Sequence, residues 1–165
     1  MSQPFRLMSY NPAWKQEFEQ TRSSLLQATI GWLVEVEHIG ATSVPGSIGR
    51  PVIDVLAGLT DLQALTEVAD LIEGLNYRRI ETPPWCDDEL CALLVRPRSG
   101  EITHTVLVTQ HQQELWKLAL SVRNKLRGNA ELCERLSQLK SNCYNATCSA
   151  ESEMQVAKDE FFSSC

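Results

Sequence analysis

Apolar residues in the first third of the chain switch from helical spacing to strand-like alternation. From Trp14 to Leu26 they return to one side of a helix, which is predicted to open at Pro12 and to end near Gly31. Residues 33–39, LVEVEHI, then alternate apolar and polar side chains, a pattern typical of a half-buried strand. The pattern therefore predicts a helix followed directly by a strand.

The middle of the chain predicts further strands around a second helix. Residues 51–59 are rich in β-branched side chains and predict a largely buried strand with Pro51 at its start. Residues 62–75 follow helical spacing, with Thr60 or Asp61 as the N-cap. Three shorter strands are predicted at residues 77–81, 90–96 and 102–109. A mixed sheet of about five strands follows.

The chain from His111 onward lacks proline and repeats apolar residues at helical spacing. Gly128 and residues 146–149 divide this part into three predicted helices. The whole pattern predicts an α+β fold, with helices flanking the mixed sheet and a C-terminal helical cap. We expect one domain over residues 1–165.

Composition and charge exclude several classes of protein. The net charge of −6 excludes a protein that coats nucleic acid through a basic surface. Hydrophobic residues make up 43% of the chain, the share typical of a globular domain. The sequence contains neither an apolar run long enough to span a bilayer nor an apolar leader at its start. We therefore expect a cytoplasmic protein that does not enter the membrane.

The cysteines give no metal-binding signature. The six of them lack C-x-x-C spacing, and no histidine stands at a zinc-finger interval from them. Without a secretory leader there is no reason to expect an oxidising compartment. Free thiols are the prediction.

A glycine-rich turn between two predicted strands holds the candidate chemistry. Gly40 and Gly46 allow the backbone to approach a ligand closely, and the hydroxyls of Thr42 and Ser43 can donate to phosphate oxygens. Asp54 lies inside an otherwise apolar strand, where a carboxylate is costly unless it faces a cleft, a cation or a hydrogen-bond donor. The segment therefore predicts a site around Asp54.

The same segment, HIGATSVPGSIGRPVIDVL at residues 38–56, resembles the GrpB family pattern HIGSTSVPGLxAKPxIDI. The positions that match are His38, Gly40, Thr42, Ser43, Val44, Pro45, Gly46, Pro51, Ile53 and Asp54. Further matches spread over the chain, among them Tyr10, Trp14, His104, Arg123, Arg127, Lys140 and Lys158. The resemblance covers nearly the whole sequence.

The resemblance implies a nucleotidyltransferase-like fold. In active nucleotidyltransferases a glycine-serine turn holds the triphosphate, and carboxylates on the following strands bind Mg²⁺. Gly40 and Ala41 fill the turn here, and Asp54 fills the first carboxylate, which makes it the implied magnesium ligand. The second carboxylate position falls on Leu56, and for the third only Glu101 is available, in the predicted hairpin.

The function that the resemblance implies is binding of a nucleotide or other phosphorylated small molecule, with nucleotidyl or phosphoryl transfer. Asp54 and His104 are the implied catalytic residues. The implied ligand-binding residues are His38, Gly40, Thr42, Ser43, Gly46, Arg50, Arg123, Arg127 and Lys158. Two alternatives stay open: a catalytically degenerate binding or interaction module on the same fold, and hydrolysis of a phosphorylated metabolite through His38 or His104.

Each candidate residue also has a purely structural interpretation. Asp54 could pair with an arginine such as Arg50 or Arg123, and either histidine could be a satisfied core residue. Thr42 and Ser43 could stabilise a tight turn. Arg123 and Arg127 lie four residues apart on a predicted helix, so they could serve one anion or form a solvated face.

Overall fold

Five strands form the central sheet of the computed structural model, which describes residues 7–84 and 86–146. Its strand order is β2-β4-β7-β6-β5, and β1 pairs with β3 in a separate two-stranded sheet. The strands are β1 (Met8–Ser9), β2 (Leu33–Ile39), β3 (Ile48–Gly49), β4 (Ile53–Leu59), β5 (Arg78–Ile80), β6 (Cys91–Arg96) and β7 (His104–Gln110). The helices are α1 (Ala13–Ala28), α2 (Leu65–Glu73), α3 (Glu114–Gly128) and α4 (Ala130–Ala146).

The sheet is mixed, as the sequence predicts. β4 runs parallel to β7 and pairs Asp54 with Thr105, whereas its other neighbour, β2, is antiparallel and pairs Ile39 with Asp54. β6 pairs antiparallel with both β7 and β5. The predicted α+β class and mixed five-stranded sheet are confirmed.

A bulge in β2 changes the alternation predicted for LVEVEHI. Strict alternation would put Leu33 on the same side as Glu35, but the register with β4 shifts between these two residues. Leu33 therefore turns inward with Val36, while Val34 is left exposed. The bulge keeps a large apolar residue in the core at the start of the strand.

The two faces of the sheet are covered by different helices. The α1/α2 face, the side packed against α1 and α2, carries the larger apolar core, including Val55, Val106 and Leu94. The α3 face, the opposite side, carries a smaller apolar cluster in which Leu56 and Leu107 pack with Trp116 of α3. Side chains of β4 therefore alternate between two distinct environments.

Local signals explain where the helices begin and end. The Asn11 side chain accepts a hydrogen bond from the Ala13 amide at 2.9 Å, and α1 ends shortly before Gly31, which has a φ of 89°. Asp61 accepts from the Gln63 amide at 2.9 Å and opens a 3₁₀ turn that leads into α2. Two of the three predicted C-terminal helices are observed, and the third lies outside the described residues.

The cysteines depart from expectation. Cys86 and Cys91 are joined in a disulfide, with their Cα atoms 6.7 Å apart. The prediction of free thiols is therefore wrong for this pair, whose spacing carries no sequence signature. Cys133 is free and buried, in agreement with the prediction.

Within residues 7–84 and 86–146, no helix combines the length and the apolar character that crossing a bilayer requires.

Candidate functional site

The glycine loop, residues 40–49, joins β2 to β4 beside Asp54. It opens with Gly40 at a φ of 74° and continues as a 3₁₀ turn over Ala41–Ser43. A Cβ atom at Gly40 would overlap the Asp54 carboxylate, and one at Gly49 would overlap the Ala41 side chain. Glycine is thus required at both positions, because the backbone passes directly against neighbouring side chains.

The hydroxyls of the loop bind its own main chain. Ser43 Oγ donates to the Gly40 carbonyl at 2.6 Å, and Ser47 Oγ donates to the Ala41 carbonyl at 2.6 Å. Thr42 and Ser43 are only 1% and 4% exposed. This geometry matches the turn-stabilising role that the sequence left open, and phosphate contact by these two hydroxyls stays a prediction.

His38 is a satisfied core histidine in this structure. Its Nε2 lies 2.8 Å from Thr42 Oγ1, which in turn donates to the Val52 carbonyl at 3.1 Å. The Thr42 proton is committed to Val52, so the Nε2–H of a neutral His38 is the donor between the two side chains. The ring stacks on Phe18 with centroids 4.7 Å apart. Burial, followed by the charges of Arg127 and Arg123, lowers the pKa of His38 to about 4.

Asp54 lies on the α3 face next to the glycine loop. It accepts a hydrogen bond from Thr105 Oγ1 at 2.6 Å, so Thr105 stands where a neighbouring carboxylate would be needed. Leu56, two residues along the same face, is fully buried in the apolar cluster beneath Trp116. The position of the second carboxylate is therefore part of a packed core.

The donor set at Asp54 does not fit a two-magnesium centre. Among the described residues, no group of three or more histidine, cysteine, aspartate or glutamate side chains converges to hold a metal ion. Glu101, the remaining candidate for a third carboxylate, is exposed before β7. A cation at Asp54 would have to take its remaining ligands from water and from a ligand that carries phosphate.

His104 does not share a face with Asp54. It pairs in register with Ile53, whereas Thr105 pairs with Asp54, and adjacent strand residues point to opposite faces. Its Nδ1 lies 2.8 Å from Thr103 Oγ1. Burial, followed by the charge of Arg96, lowers the pKa of His104 to about 4. The register therefore does not bring His104 to the side of Asp54, and a joint role of the two residues stays a prediction.

Two side-chain pairs on the α3 face were not predicted from the sequence. Arg123 donates to Glu37 Oε2 at 2.6 Å, with side chains only 10% and 28% exposed, and His111 Nε2 lies 2.7 Å from Glu35 Oε2. Hydrogen bonds with Glu37 and then with His111 lower the pKa of Glu35. The period-two pattern of β2 places both glutamates on one face, but their partners come from distant segments.

The basic residues of α3 and α4 hold the glycine loop and its flanks. Arg123 donates to the His38 carbonyl at 3.2 Å, and Arg127 Nε donates to the Ser43 carbonyl at 2.9 Å. Lys140, which is buried, donates to the Ile48 carbonyl at 3.0 Å, and Ser137 Oγ accepts from the Ile48 amide. The helical cap therefore fixes the loop through its main chain.

The remaining predicted ligand-binding residues are not gathered in one place. Arg50 follows β3, is half-buried and is engaged in a contact within the protein. Arg123 is occupied by Glu37, His38 and the Asn124 side chain. Lys158 lies outside the described residues.

A cleft of about 550 Å³, here termed the α4 cleft, opens between the glycine loop and the two C-terminal helices. Its volume lies in the range of small-molecule sites. Pro45 and Gly46 form its loop side, and Arg127 reaches it from α3. The other lining residues are Ile48, Leu126, Ala130, Cys133, Glu134, Ser137, Gln138 and Ser141. Asp54 is not part of the lining.

Comparison with known proteins identifies the family. The family model described as GrpB protein matches residues 4–165. The glutamate-rich protein GrpB of Alkalihalophilus pseudofirmus is 25% identical over 138 residues, covering 82% of this chain and 79% of that protein. A UPF0157 protein of Halalkalibacterium halodurans is 34% identical over 80 residues, or 48% of this chain; the match spans only 41% of that relative.

Solved structures give the fold. The conserved protein GrpB from Enterococcus faecalis superposes with a TM-score of 0.80 at 23% identity, covering 96% of this chain and 98% of that one. The Cid1 poly(U) polymerase, in a complex described as Mg 3'-dATP bound, superposes with a TM-score of 0.54 at 9% identity. That match covers 81% of this chain and 41% of the polymerase. The fold is therefore nucleotidyltransferase-like.

Proposed function

The chain belongs to the GrpB protein family, and we propose that it binds a nucleotide or other phosphorylated small molecule against the glycine loop. In this proposal the nucleotidyltransferase-like scaffold serves binding and does not support two-metal nucleotidyl transfer. The position of Arg127 carries the proposal.

Arg127 is both anchored and available. Its Nε is fixed to the Ser43 carbonyl, and its side chain lines the α4 cleft beside Gly46. The two terminal nitrogens of the Arg127 guanidinium form no hydrogen bond with any residue in the described part of the chain. Their N–H groups form a fork that fits two oxygens of a phosphate.

The electrostatic surroundings of Arg127 favour an anion. Burial and then the nearby charge of Arg123 lower the pKa of Arg127, although its guanidinium stays charged near neutral pH. Two neighbouring guanidinium groups repel each other, and a bound phosphate would offset that repulsion. Arg123 is occupied by Glu37, so Arg127 is the donor that a ligand would meet.

The α3 face argues against transfer chemistry of the two-metal type. That chemistry needs carboxylates on both sides of the metal pair, but Leu56 is packed beneath Trp116 and Thr105 is bonded to Asp54. Asp54 is left with a supporting role, at most as one ligand to a cation that arrives with a nucleotide.

Calorimetric titration tests the proposal. ATP, UTP and inorganic phosphate would each be titrated with and without Mg²⁺, into the wild-type protein and into Arg127→Gln. We expect at least one of them to bind and Arg127→Gln to weaken it about tenfold, because a charge-assisted pair is lost. Arg22→Gln, an exposed position on α1, is the matched control and should bind as wild type.

Two results would overturn the proposal. One is that none of the three probes binds the folded protein. The other is that Arg127→Gln binds them as tightly as wild type. Pyrophosphate release that requires Mg²⁺ and disappears in Asp54→Asn would show instead that transfer chemistry survives.

A further inference from the structure

Among the described residues, one side chain of each charge lines the α4 cleft. Arg127 supplies the positive charge at the loop side, and Glu134 on α4 supplies a negative charge to the same lining. We infer that the ligand is zwitterionic, with a phosphate held by Arg127 and an ammonium group held by Glu134. This inference rests on the proposed function and specifies the class of its ligand.

The two charges do not neutralise each other. Among the described residues, neither Arg127 nor Glu134 takes part in an ion pair, although both border one cleft. Opposite charges that share a cleft without meeting leave room for a ligand that carries the complementary pair.

The rest of the described lining suits a short ligand of mixed character. Apolar contacts come from Pro45, Ile48 and Leu126, while Gln138 and Ser141, one and two turns beyond Glu134 on α4, offer hydrogen bonds. A cleft of about 550 Å³ accommodates one small molecule. A phosphate separated from a primary amine by a few carbons places an apolar stem between two charged ends.

Anchoring of the phosphate end is stronger than anchoring of the amine end. Arg127 is tied to the Ser43 carbonyl, whereas Glu134 is exposed on its helix. Phosphate affinity should therefore depend on Arg127, and Glu134 should add discrimination in favour of an amine. The two contributions can be separated by experiment.

Phosphoethanolamine and ethyl phosphate are matched probes, because they differ by one ammonium group. We expect wild type to bind phosphoethanolamine about fivefold more tightly, the size of effect that an accessible ion pair supports. In Glu134→Gln the two compounds should bind equally, with affinity for ethyl phosphate unchanged. Glu131→Gln, an exposed position on the same helix outside the cleft lining, should keep the wild-type preference.

Amide chemical shifts locate the site in the same samples. Phosphoethanolamine should perturb Gly46 and Gln138, on opposite walls of the α4 cleft. Equal binding of the two probes by wild type, or a preference that survives in Glu134→Gln, would overturn the zwitterionic ligand and leave the phosphate site standing. If neither probe binds, the zwitterionic ligand is overturned, and failure of ATP, UTP and phosphate as well would remove the proposed function with it.

Discussion

The two faces of the central sheet are formed by the same strands but differ in how apolar and polar side chains are distributed. On the α1/α2 face, His38 and the apolar residues of β4 lie in one continuous core. On the α3 face, polar and apolar side chains follow one another along a single strand, with Asp54 polar and Leu56 fully buried. A strand with two faces can therefore keep an apolar core on one side while its other side is divided between apolar packing and polar contacts.

The division of the α3 face explains why, among the described residues, no group of carboxylates gathers around Asp54. Leu56 packs with Leu107 and with Trp116 of α3. The position of the second carboxylate therefore contributes to the contact between α3 and the sheet. The Asp54 end remains polar because Gly40 and Thr105 meet it. A buried apolar contact and a polar contact thus occupy neighbouring positions on one face of β4.

The largest effect is expected from Leu56→Asp, because this substitution would place a charge in the apolar cluster of the α3 face. We expect a loss of about 4 kcal/mol in the free energy of unfolding, because a buried carboxylate without a partner is costly. Denaturant titration measures it, with Leu56→Met as the control of similar volume. A free energy of unfolding for Leu56→Asp equal to that of Leu56→Met would contradict the cost of a buried carboxylate as the cause.

Gly40→Ala tests the contact between the glycine loop and Asp54, at the polar end of β4. We expect a loss of about 3 kcal/mol, since positive φ is strained for alanine and its Cβ would overlap the Asp54 carboxylate. Gly100→Ala has a similar φ, with open space around the new Cβ, and should lose about 1 kcal/mol. Unfolding curves that give equal losses for the two variants would remove the Asp54 contact as the cause.

Arg123→Gln tests how the helical cap is attached to the α3 face. We expect a loss of about 2 kcal/mol, because Glu37 would keep a partly buried charge without its partner. Arg22→Gln removes an exposed pair at 3.6 Å and should change stability very little. Thermal unfolding of both variants gives the comparison, and equal melting temperatures would count against an attachment through Arg123.

The last prediction concerns the pH dependence of stability and His38 on the α1/α2 face. The pKa of His38 is about 4 in the folded protein and about 6.5 when unfolded, so the unfolded state binds more protons between these values. The stability that His38 contributes is complete above pH 6.5 and is lost as pH falls towards 4. We expect His38→Gln to flatten this part of the stability profile, because the variant has no imidazole to protonate. An unchanged profile, measured by denaturant titration across this pH range, would contradict the assignment.

Much of the architecture could be read from local patterns. The strand predicted at residues 33–39 is β2 with the same bounds, and the prediction for residues 102–109 overlaps β7 closely. Apolar periodicity records which side of an element faces a core, so it locates elements well. The glycine positions near Asp54 were also informative, because close backbone approach has a residue-type signature.

The arrangement of the site could not be predicted in the same way. The parallel register of β4 and β7 decides that Thr105, and not His104, meets Asp54, and no local pattern fixes that register. Likewise, Arg127 binds the Ser43 carbonyl across 84 residues of chain. Such partners are set by tertiary packing, so sequence reasoning finds the residue types but not their pairing.

The bulge at the start of β2 also affects how one molecule meets another. β2 is an outer strand of the sheet, and Ile30, Trp32 and Val34 lie exposed near its beginning. A regular apolar edge strand is a template for pairing with a second chain and for aggregation. The irregular register between Leu33 and Glu35 interrupts the even spacing that such a template needs. The irregularity that keeps Leu33 in the core thus also protects the sheet from growing by one more strand.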